Sequence, residues 1–271
     1  MSNFYLKQMI LQNFKGFSSI TIDFQQKINT FIGINGSGKS SILFALTLAL
    51  SRLTGRIHSS SNNGFIFDES CIKNGTNDSL IKVTMEFNGN PVSWQIGKQR
   101  IQTKQTMSEL NDLNNNAVAG IKDLLMAEDK KSIPLVVYYG VSRNVLDIPL
   151  KIRTKHTFER LSAYDGALLR ERSVNDFRVF FEWFRDREDI ENQEYRDFFE
   201  NSLSIKSYTD PQLCAVRSAI ENALPGFTKL KIKRRPHLQM VVSKNVGDRI
   251  LELDINQLSD GEKSTLAMVG D

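Results

Sequence analysis

The 271-residue sequence has few residues of the kinds that build covalent or metal-held scaffolds. It contains only two cysteines, Cys71 and Cys214, and its three histidines stand in no ligand spacing. Neither a disulfide framework nor a zinc site is therefore expected. The longest largely apolar run, residues 42–50, is far shorter than the roughly 20 residues that cross a bilayer. The first residues also lack the apolar stretch of a secretory signal, so we expect a cytoplasmic protein without a membrane partner.

Charge excludes little here. The formal net charge of +4 is too small to indicate nucleic-acid binding, although it permits it. The length suits one large α/β domain, or one domain that carries an insertion.

Residues 33–40, GINGSGKS, match the phosphate-binding loop G-x-x-x-x-G-K-[ST] with one additional glycine. Glycines allow the backbone to curl so that successive N–H groups face a phosphate. A lysine here reaches the β- and γ-phosphates, a serine hydroxyl binds Mg²⁺, and the following helix offers its positive end. Residues 28–32 are predicted to form the strand before the loop, and residues 41–50 the helix after it. The predicted nucleotide-binding residues are Asn35, Gly36, Ser37, Gly38, Lys39 and Ser40, with Ser40 also as the Mg²⁺ ligand.

A second motif, QLSDGEKS, occupies residues 257–264. Alone it predicts a helix N-terminus, because Ser259 and Asp260 are good capping residues. Together with a phosphate loop it resembles the signature of ABC ATPases, which caps, from one subunit, the γ-phosphate held by the other. The resemblance implies that Ser259, Gly261 and Glu262 act in trans. Asp260 departs from the usual glycine and adds a negative charge that must point away from the phosphate.

The N-terminal segment, residues 5–17 and 20–24, predicts two strands joined by a short turn. Its pattern Leu-x-Asn-Phe-Lys-x-Phe resembles the RecF/SMC-type ATPases. In those proteins the basic residue near the turn approaches nucleotide or DNA, which Lys15 would do here. A solvated turn lysine is the alternative.

Two central segments point to one subfamily of these ATPases. Residues 134–143 predict a strand that ends in a loop, and residues 180–192 predict an amphipathic helix. With the signature, they are similar to the PtuA ATPases of Septu anti-phage defence systems and of related retron systems. That resemblance implies ATP and Mg²⁺ as cofactors and a homo-oligomer, at least a dimer. It also implies an HNH-type nuclease partner and, in retrons, a reverse transcriptase with its DNA–RNA product.

Some parts of the ABC-type site are not found. The Walker B strand and the switch histidine should follow the signature helix, but the sequence stops at Asp271. We expect a longer protein, and no catalytic residue is assigned. The Q-loop glutamine is not placed either: Arg143 stands near the expected strand end, and Gln102 and Gln105 precede it.

Between the motifs, residues 81–87 and 92–96 predict a hairpin, and residues 117–127 a helix. Residues 155–223 are predicted to be mainly helical, with an aromatic stripe that favours packing over cofactor binding. Residues 227–233 alternate apolar residues with lysines and predict a strand that pairs with residues 238–242. This strand would place Lys229, Lys231 and Lys233 on one face, either as a nucleic-acid contact or as a solvated surface.

The predicted fold is an α/β P-loop NTPase of the ABC-ATPase head type, with an N-terminal antiparallel β layer and a helical insertion. Residues 1–150 would form the ATPase lobe with the phosphate loop, 151–225 the insertion, and 226–271 the return strands and signature helix. Two functions compete with a defence ATPase that hydrolyses ATP and regulates a nuclease. One is a RecF-type DNA repair or recombination ATPase, and the other is a nucleotide-gated scaffold with negligible turnover.

Overall fold

The computed structural model describes residues 4–101, 107–127, 132–140, 160–164, 167–168, 176–201, 208–247 and 249–270. The chain divides into two compact units. The first comprises Met1–Tyr138 and Ala163–Leu168, and the second comprises Tyr139–Ser162 and Leu169–Asp271.

The first unit contains a four-stranded antiparallel sheet in the order β2-β1-β3-β4. Its strands are β1 (Phe4–Phe14), β2 (Phe17–Asp23), β3 (Asp78–Phe87) and β4 (Asn90–Gln99). Asn88 and Gly89, with φ of 52° and 85°, connect β3 to β4. Positive φ at both residues is the geometry that matches the twist of a two-residue hairpin. Both predicted hairpins are confirmed.

Two helices belong to this unit, α1 (Lys39–His58) and α2 (Ala119–Met126). The apolar residues of α1 that are no more than 1% exposed recur at helical spacing: Ala45, Leu48, Ala49 and Leu53. The indole of Trp94 donates a hydrogen bond to the carbonyl of Ala49 at 3.1 Å, which fixes β4 against this helix. The helix predicted at residues 41–50 is confirmed and extends to His58, and the one predicted at 117–127 is confirmed in its central part.

Two strand predictions are wrong. Residues 28–32 are not a strand, and Ile28 and Ile32 are 81% and 91% exposed. A strand requires a neighbour for its N–H and C=O groups, and the described part of the chain supplies none to this segment. Residues 134–140 likewise form no strand; the Tyr138 amide binds the carbonyl of Ala167 instead, at 2.7 Å. Residues 141–143, Gln102 and Gln105 lie outside the described residues.

The second unit has an antiparallel sheet in the order β5-β6-β7, with β5 (Phe227–Lys233), β6 (Gln239–Val246) and β7 (Arg249–Asp254). Its helices are α3 (Asp176–Asn201), α4 (Pro211–Ala223) and α5 (Asp260–Gly270). The predicted pairing of residues 227–233 with 238–242 is confirmed. The aromatic stripe of α3 lies in the core, as predicted: Phe177, Phe180, Phe181 and Phe184 are no more than 4% exposed.

A buried carboxylate attaches α3 to β5. Glu188 is 6% exposed and accepts hydrogen bonds from the Ile232 amide at 3.2 Å and from Arg234 at 3.0 Å. Glu191, on the same helix α3 as Glu188, pairs with Arg217 of α4 at 3.0 Å. Because a buried carboxylate without partners is unstable, these contacts fix where β5 ends and which face it exposes.

Across the described ranges, no helix is both long enough and apolar enough to span a membrane.

Candidate nucleotide-binding site and signature segment

The phosphate loop curls through two glycines with left-handed backbone geometry. Gly36 has φ of 85° and Gly38 has φ of 94°, values that side chains disfavour. The amide of Ser37 donates to the carbonyl of Ile34 at 3.2 Å and closes a turn between them. The predicted loop residues therefore lie together in one tight turn that leads directly into α1.

The first turn of α1 carries no competing anion. Gly38 is its N-cap, no side chain caps it, and no acidic residue lies in its first turn. The amides of Ser41 and Ile42 bind the Gly38 carbonyl, whereas the preceding amides have no intrahelical acceptor. These N–H groups and the helix dipole together favour a phosphate. Ser40 is exposed in this turn, and its hydroxyl fits the role of a Mg²⁺ ligand beside that phosphate.

Lys39 bends back over its own loop. Its ammonium donates to the carbonyls of Gly33 at 2.8 Å and of Ile34 at 2.9 Å. These contacts hold the Lys39 ammonium beside the curled backbone. A bound triphosphate would replace its neutral carbonyl acceptors with anionic phosphate oxygens. A charge-assisted hydrogen bond to phosphate is roughly twice as strong as a neutral one.

The turn between β1 and β2 lies next to α1. The ammonium of Lys15 lies 4.6 Å from the ring centroid of Phe44, and the Lys15 amide donates to the carbonyl of Cys71 at 2.7 Å. Burial raises the pKa of the Cys71 thiol, and the nearby Lys15 charge partly opposes that rise. Lys15 is thus held close to the helix that follows the phosphate loop.

Sequence reasoning missed Phe17 as a residue of this site. Its ring packs against Gly38, at the point where the loop becomes helix. The only sequence signal was its place as the last residue of the N-terminal Leu-x-Asn-Phe-Lys-x-Phe pattern.

The signature segment forms a reciprocal cap at the start of α5. Ser259 donates to the carboxylate of Glu262 through its amide and its hydroxyl, both at 2.9 Å. The Glu262 amide in turn points to the Ser259 hydroxyl at 3.4 Å. This is the Ser-x-x-Glu capping box, which satisfies two helix N–H groups. Asp260 is exposed as the first residue of the helix.

Lys244 of β6 joins this cap. Its ammonium lies 2.7 Å from the second oxygen of the Glu262 carboxylate. The hydrogen bond from Lys244 and that from the Ser259 amide lower the pKa of Glu262 below its usual value. The carboxylate is therefore ionised at neutral pH, with both of its oxygens bound.

The three predicted lysines of β5 are all exposed, but two of them already have a partner. Lys231 and Lys233 each lie 2.7 Å from an oxygen of Glu252 on β7, across the central strand. These two contacts lower the pKa of Glu252 to about 2. Lys229 has φ of 53° at a bulge in β5, and its amide donates to Glu221 at 3.3 Å. The face is basic, with one carboxylate in its centre.

A curled glycine loop before a helix with an uncapped N-terminus defines the class of P-loop nucleotide-binding domains. Residues 8–225 match the family described as AAA domain, and the chain belongs to that family. The described elements, antiparallel sheets, helices and a phosphate loop, agree with the predicted α/β P-loop fold of the ABC-ATPase type, and the family match makes the chain an ATPase-type domain.

Two relatives match almost all of the chain. The Retron Ec83 probable ATPase of Escherichia coli is 27% identical over 96% of this chain and 57% of its own length. The Retron Vc95 probable ATPase of Vibrio cholerae serotype O1 biovar El Tor is 24% identical over 98% of this chain and 59% of its own length. The DNA replication and repair protein RecF of Leptospira biflexa is 29% identical over 40% of this chain and 27% of its own length. The predicted resemblance to retron ATPases is confirmed, and the chain spans less than two thirds of the two retron relatives.

Proposed function

We propose that this chain is the nucleotide-binding part of an ABC-type ATPase that binds and hydrolyses ATP with Mg²⁺ and dimerises around it. In this account the dimer regulates a partner nuclease in anti-phage defence. The observation that carries the proposal is the phosphate loop, with its left-handed glycines at 36 and 38 and an uncapped helix start.

The loop residues have separate roles in this proposal. The amides of residues 38–40 would surround the β-phosphate, and Lys39 would leave the Gly33 and Ile34 carbonyls to contact the β- and γ-phosphates. Ser40 would hold Mg²⁺, which supplies charge neutralisation between those phosphates when it is bound. Lys15, whose ammonium lies over the Phe44 ring, would meet either nucleotide or DNA.

The signature segment supports dimerisation. A serine hydroxyl, the Gly261 amide and the start of α5 are groups that favour an anion. In the proposed dimer these groups of one subunit cap the γ-phosphate held by the phosphate loop of the other. Nucleotide occupancy would then control assembly, because each bound nucleotide would need the phosphate loop of one subunit and the signature of the other.

The defence role rests on similarity to the retron relatives. It extends to an HNH-type nuclease partner and, in a retron-like assembly, a reverse transcriptase with its DNA–RNA product. The exposed face with Lys229, Lys231 and Lys233 is the candidate contact for such a nucleic acid. The similarity to RecF over 40% of the chain favours one second candidate, a DNA repair or recombination ATPase.

The test uses the full-length protein. With Mg²⁺ and a non-hydrolysable ATP analogue, sedimentation velocity should show a dimer that disappears without nucleotide, and ATP should be turned over. Lys39→Ala serves as the matched variant and should do neither. Co-purification with a nuclease and protection in phage plating would support the defence role. Preferential binding of gapped DNA without a nuclease would support the repair candidate instead.

A further inference from the structure

We propose that Lys244 is a positioning residue of the signature: it holds and neutralises Glu262, so that the Ser259 hydroxyl can leave that carboxylate and bind a phosphate. This inference rests on the proposed function of the signature in trans. Nothing in the signature motif itself points to Lys244, which lies 15 residues before Ser259 on the strand β6.

The Glu262 carboxylate links the two other residues. One of its oxygens lies 2.7 Å from the Lys244 ammonium, and the other accepts the Ser259 hydroxyl proton at 2.9 Å. The Ser259 hydroxyl is therefore engaged within its own chain. To donate to a phosphate it must break that hydrogen bond, and Glu262 must then be satisfied by its remaining partners.

Lys244 is well placed to be that remaining partner. It lies on the central strand β6, opposite Phe227 of β5, and its ammonium lies 4.9 Å from the centroid of the Phe227 ring. Phe227 is 4% exposed and belongs to the core, so the lysine stem lies against a fixed surface. The position of the charge therefore does not depend on the Ser259 rotamer.

A cation is needed because the Glu262 carboxylate would repel a phosphate bound by Ser259. A phosphate oxygen that accepts from the Ser259 hydroxyl would lie within about 6 Å of the Glu262 carboxylate. At that distance, one unit of like charge weakens binding by about 3-fold at a dielectric of 80 and about 100-fold at 20. Lys244 offsets this repulsion, to which the exposed carboxylate of Asp260 adds.

The experiment measures nucleotide-driven dimerisation of the full-length protein by sedimentation velocity, with Mg²⁺ and a non-hydrolysable ATP analogue. Lys244→Met should weaken the dimer about tenfold, and Lys244→Arg should recover most of that loss. The matched control is Lys7→Met, which removes a surface ion pair of similar geometry with Glu86 at 2.9 Å in the first unit. Its dimerisation should equal wild type, and nucleotide binding by the monomer should be unchanged in every variant.

The double variant Lys244→Met with Glu262→Gln separates charge neutralisation from simple packing. If Lys244 acts by neutralising Glu262, removing both charges should restore dimerisation relative to Lys244→Met alone. Recovery supports the inference, and no recovery overturns it by making Lys244 a packing residue. Should Lys244→Met fail to fold, judged by thermal unfolding, Lys244→Gln is measured by the same criteria.

Different results would contradict the proposed function and the role of Lys244. A wild-type protein that does not dimerise with nucleotide contradicts the proposed function itself. A wild type that dimerises, with Lys244→Met equally tight, overturns the role of Lys244 and leaves the proposed function standing.

Discussion

The ring of Phe17 lies directly against Gly38 of the phosphate loop. A Cβ added to Gly38 would come within 2.4 Å of the Phe17 Cζ atom, closer than side chains approach one another. Gly38 also has φ of 94°, a conformation that only glycine adopts without strain. The β1–β2 hairpin therefore packs against the loop at its least replaceable residue.

Gly38→Ala should weaken ATP binding by about tenfold or more, because left-handed strain alone is about 1–2 kcal/mol and the clash with Phe17 adds to it. Calorimetric titration with ATP measures the change. Gly16→Ala is the matched control, since a Cβ there meets nothing within 4 Å. Adding Phe17→Ala to Gly38→Ala should recover only the part due to the clash. Equal ATP affinity for Gly38→Ala and wild type would contradict the assigned loop geometry.

Lys39→Ala should lower ATP affinity by about 10- to 150-fold, because a hydrogen bond to a charged group contributes about 1.5–3 kcal/mol. Nucleotide-analogue fluorescence measures it, and circular dichroism checks that the variant is folded. Lys7→Ala, in the same unit, should bind ATP normally. A folded Lys39→Ala protein with unchanged ATP affinity would mean that residues 33–40 do not bind the triphosphate.

Some segments of the fold are predicted by their own residues, whereas others depend on distant parts of the chain. The hairpin through Asn88 and Gly89 is encoded by its own residues, because that pair suits the required backbone geometry. The aromatic stripe of α3 is encoded by periodicity. Residues 28–32 have an apolar, strand-like composition, but a strand also depends on a paired neighbour, which local sequence does not supply.

The same distinction applies to the candidate site. A motif locates Lys39 and Ser259, because the chemistry requires those residue types at fixed spacing. It does not locate Phe17 or Lys244, whose roles come from packing between segments distant in the chain. Nor does the alternation of residues 227–233 predict Glu252, which arrives from β7 and pairs with two of the three lysines.

Glu252→Gln should increase nucleic-acid affinity if the lysine face of β5 contacts phosphates, because it releases Lys231 and Lys233. Charge reversal of Lys229, Lys231 and Lys233 should have the opposite effect and reduce the salt dependence by up to about three counterions. Fluorescence anisotropy with labelled DNA and RNA over a salt series measures both. If neither change alters affinity or salt slope, the lysines are a solvated surface. ATP binding should be unaffected throughout.

The carboxyl of Glu252 should titrate near pH 2, well below its usual 4.5. A carboxylate whose pKa is lower in the folded state stabilises the fold above its unfolded pKa. That stabilisation is present above about pH 4.5 and is lost as the pH falls towards 2. NMR titration of the side-chain carbonyl carbon measures it. In a variant with Lys231→Met and Lys233→Met the midpoint should move up towards 4.5, and a midpoint unchanged by this double substitution would contradict the shared ion pair.

The central claim is that the signature of one subunit caps the nucleotide in the phosphate loop of another, and Ser259→Arg tests it most directly. The bulky side chain should block closure at the signature while leaving the phosphate loop of its own chain intact. Monomeric ATP binding should therefore persist, whereas ATP-driven dimerisation and turnover of the full-length protein should be lost. A mixture with Lys39→Ala chains is informative, because each mixed dimer has one site with both defects and one with neither.

The decisive measurement is sedimentation velocity of Ser259→Arg, alone and mixed with Lys39→Ala, in the presence of Mg²⁺ and a non-hydrolysable ATP analogue. The account predicts monomers for each variant alone and nucleotide-dependent dimers in the mixture, if one intact composite site is sufficient for assembly. Wild-type dimerisation and wild-type ATP turnover by Ser259→Arg alone would contradict it. Ser259 would then be only the cap of α5, and the shared nucleotide site would have to be abandoned.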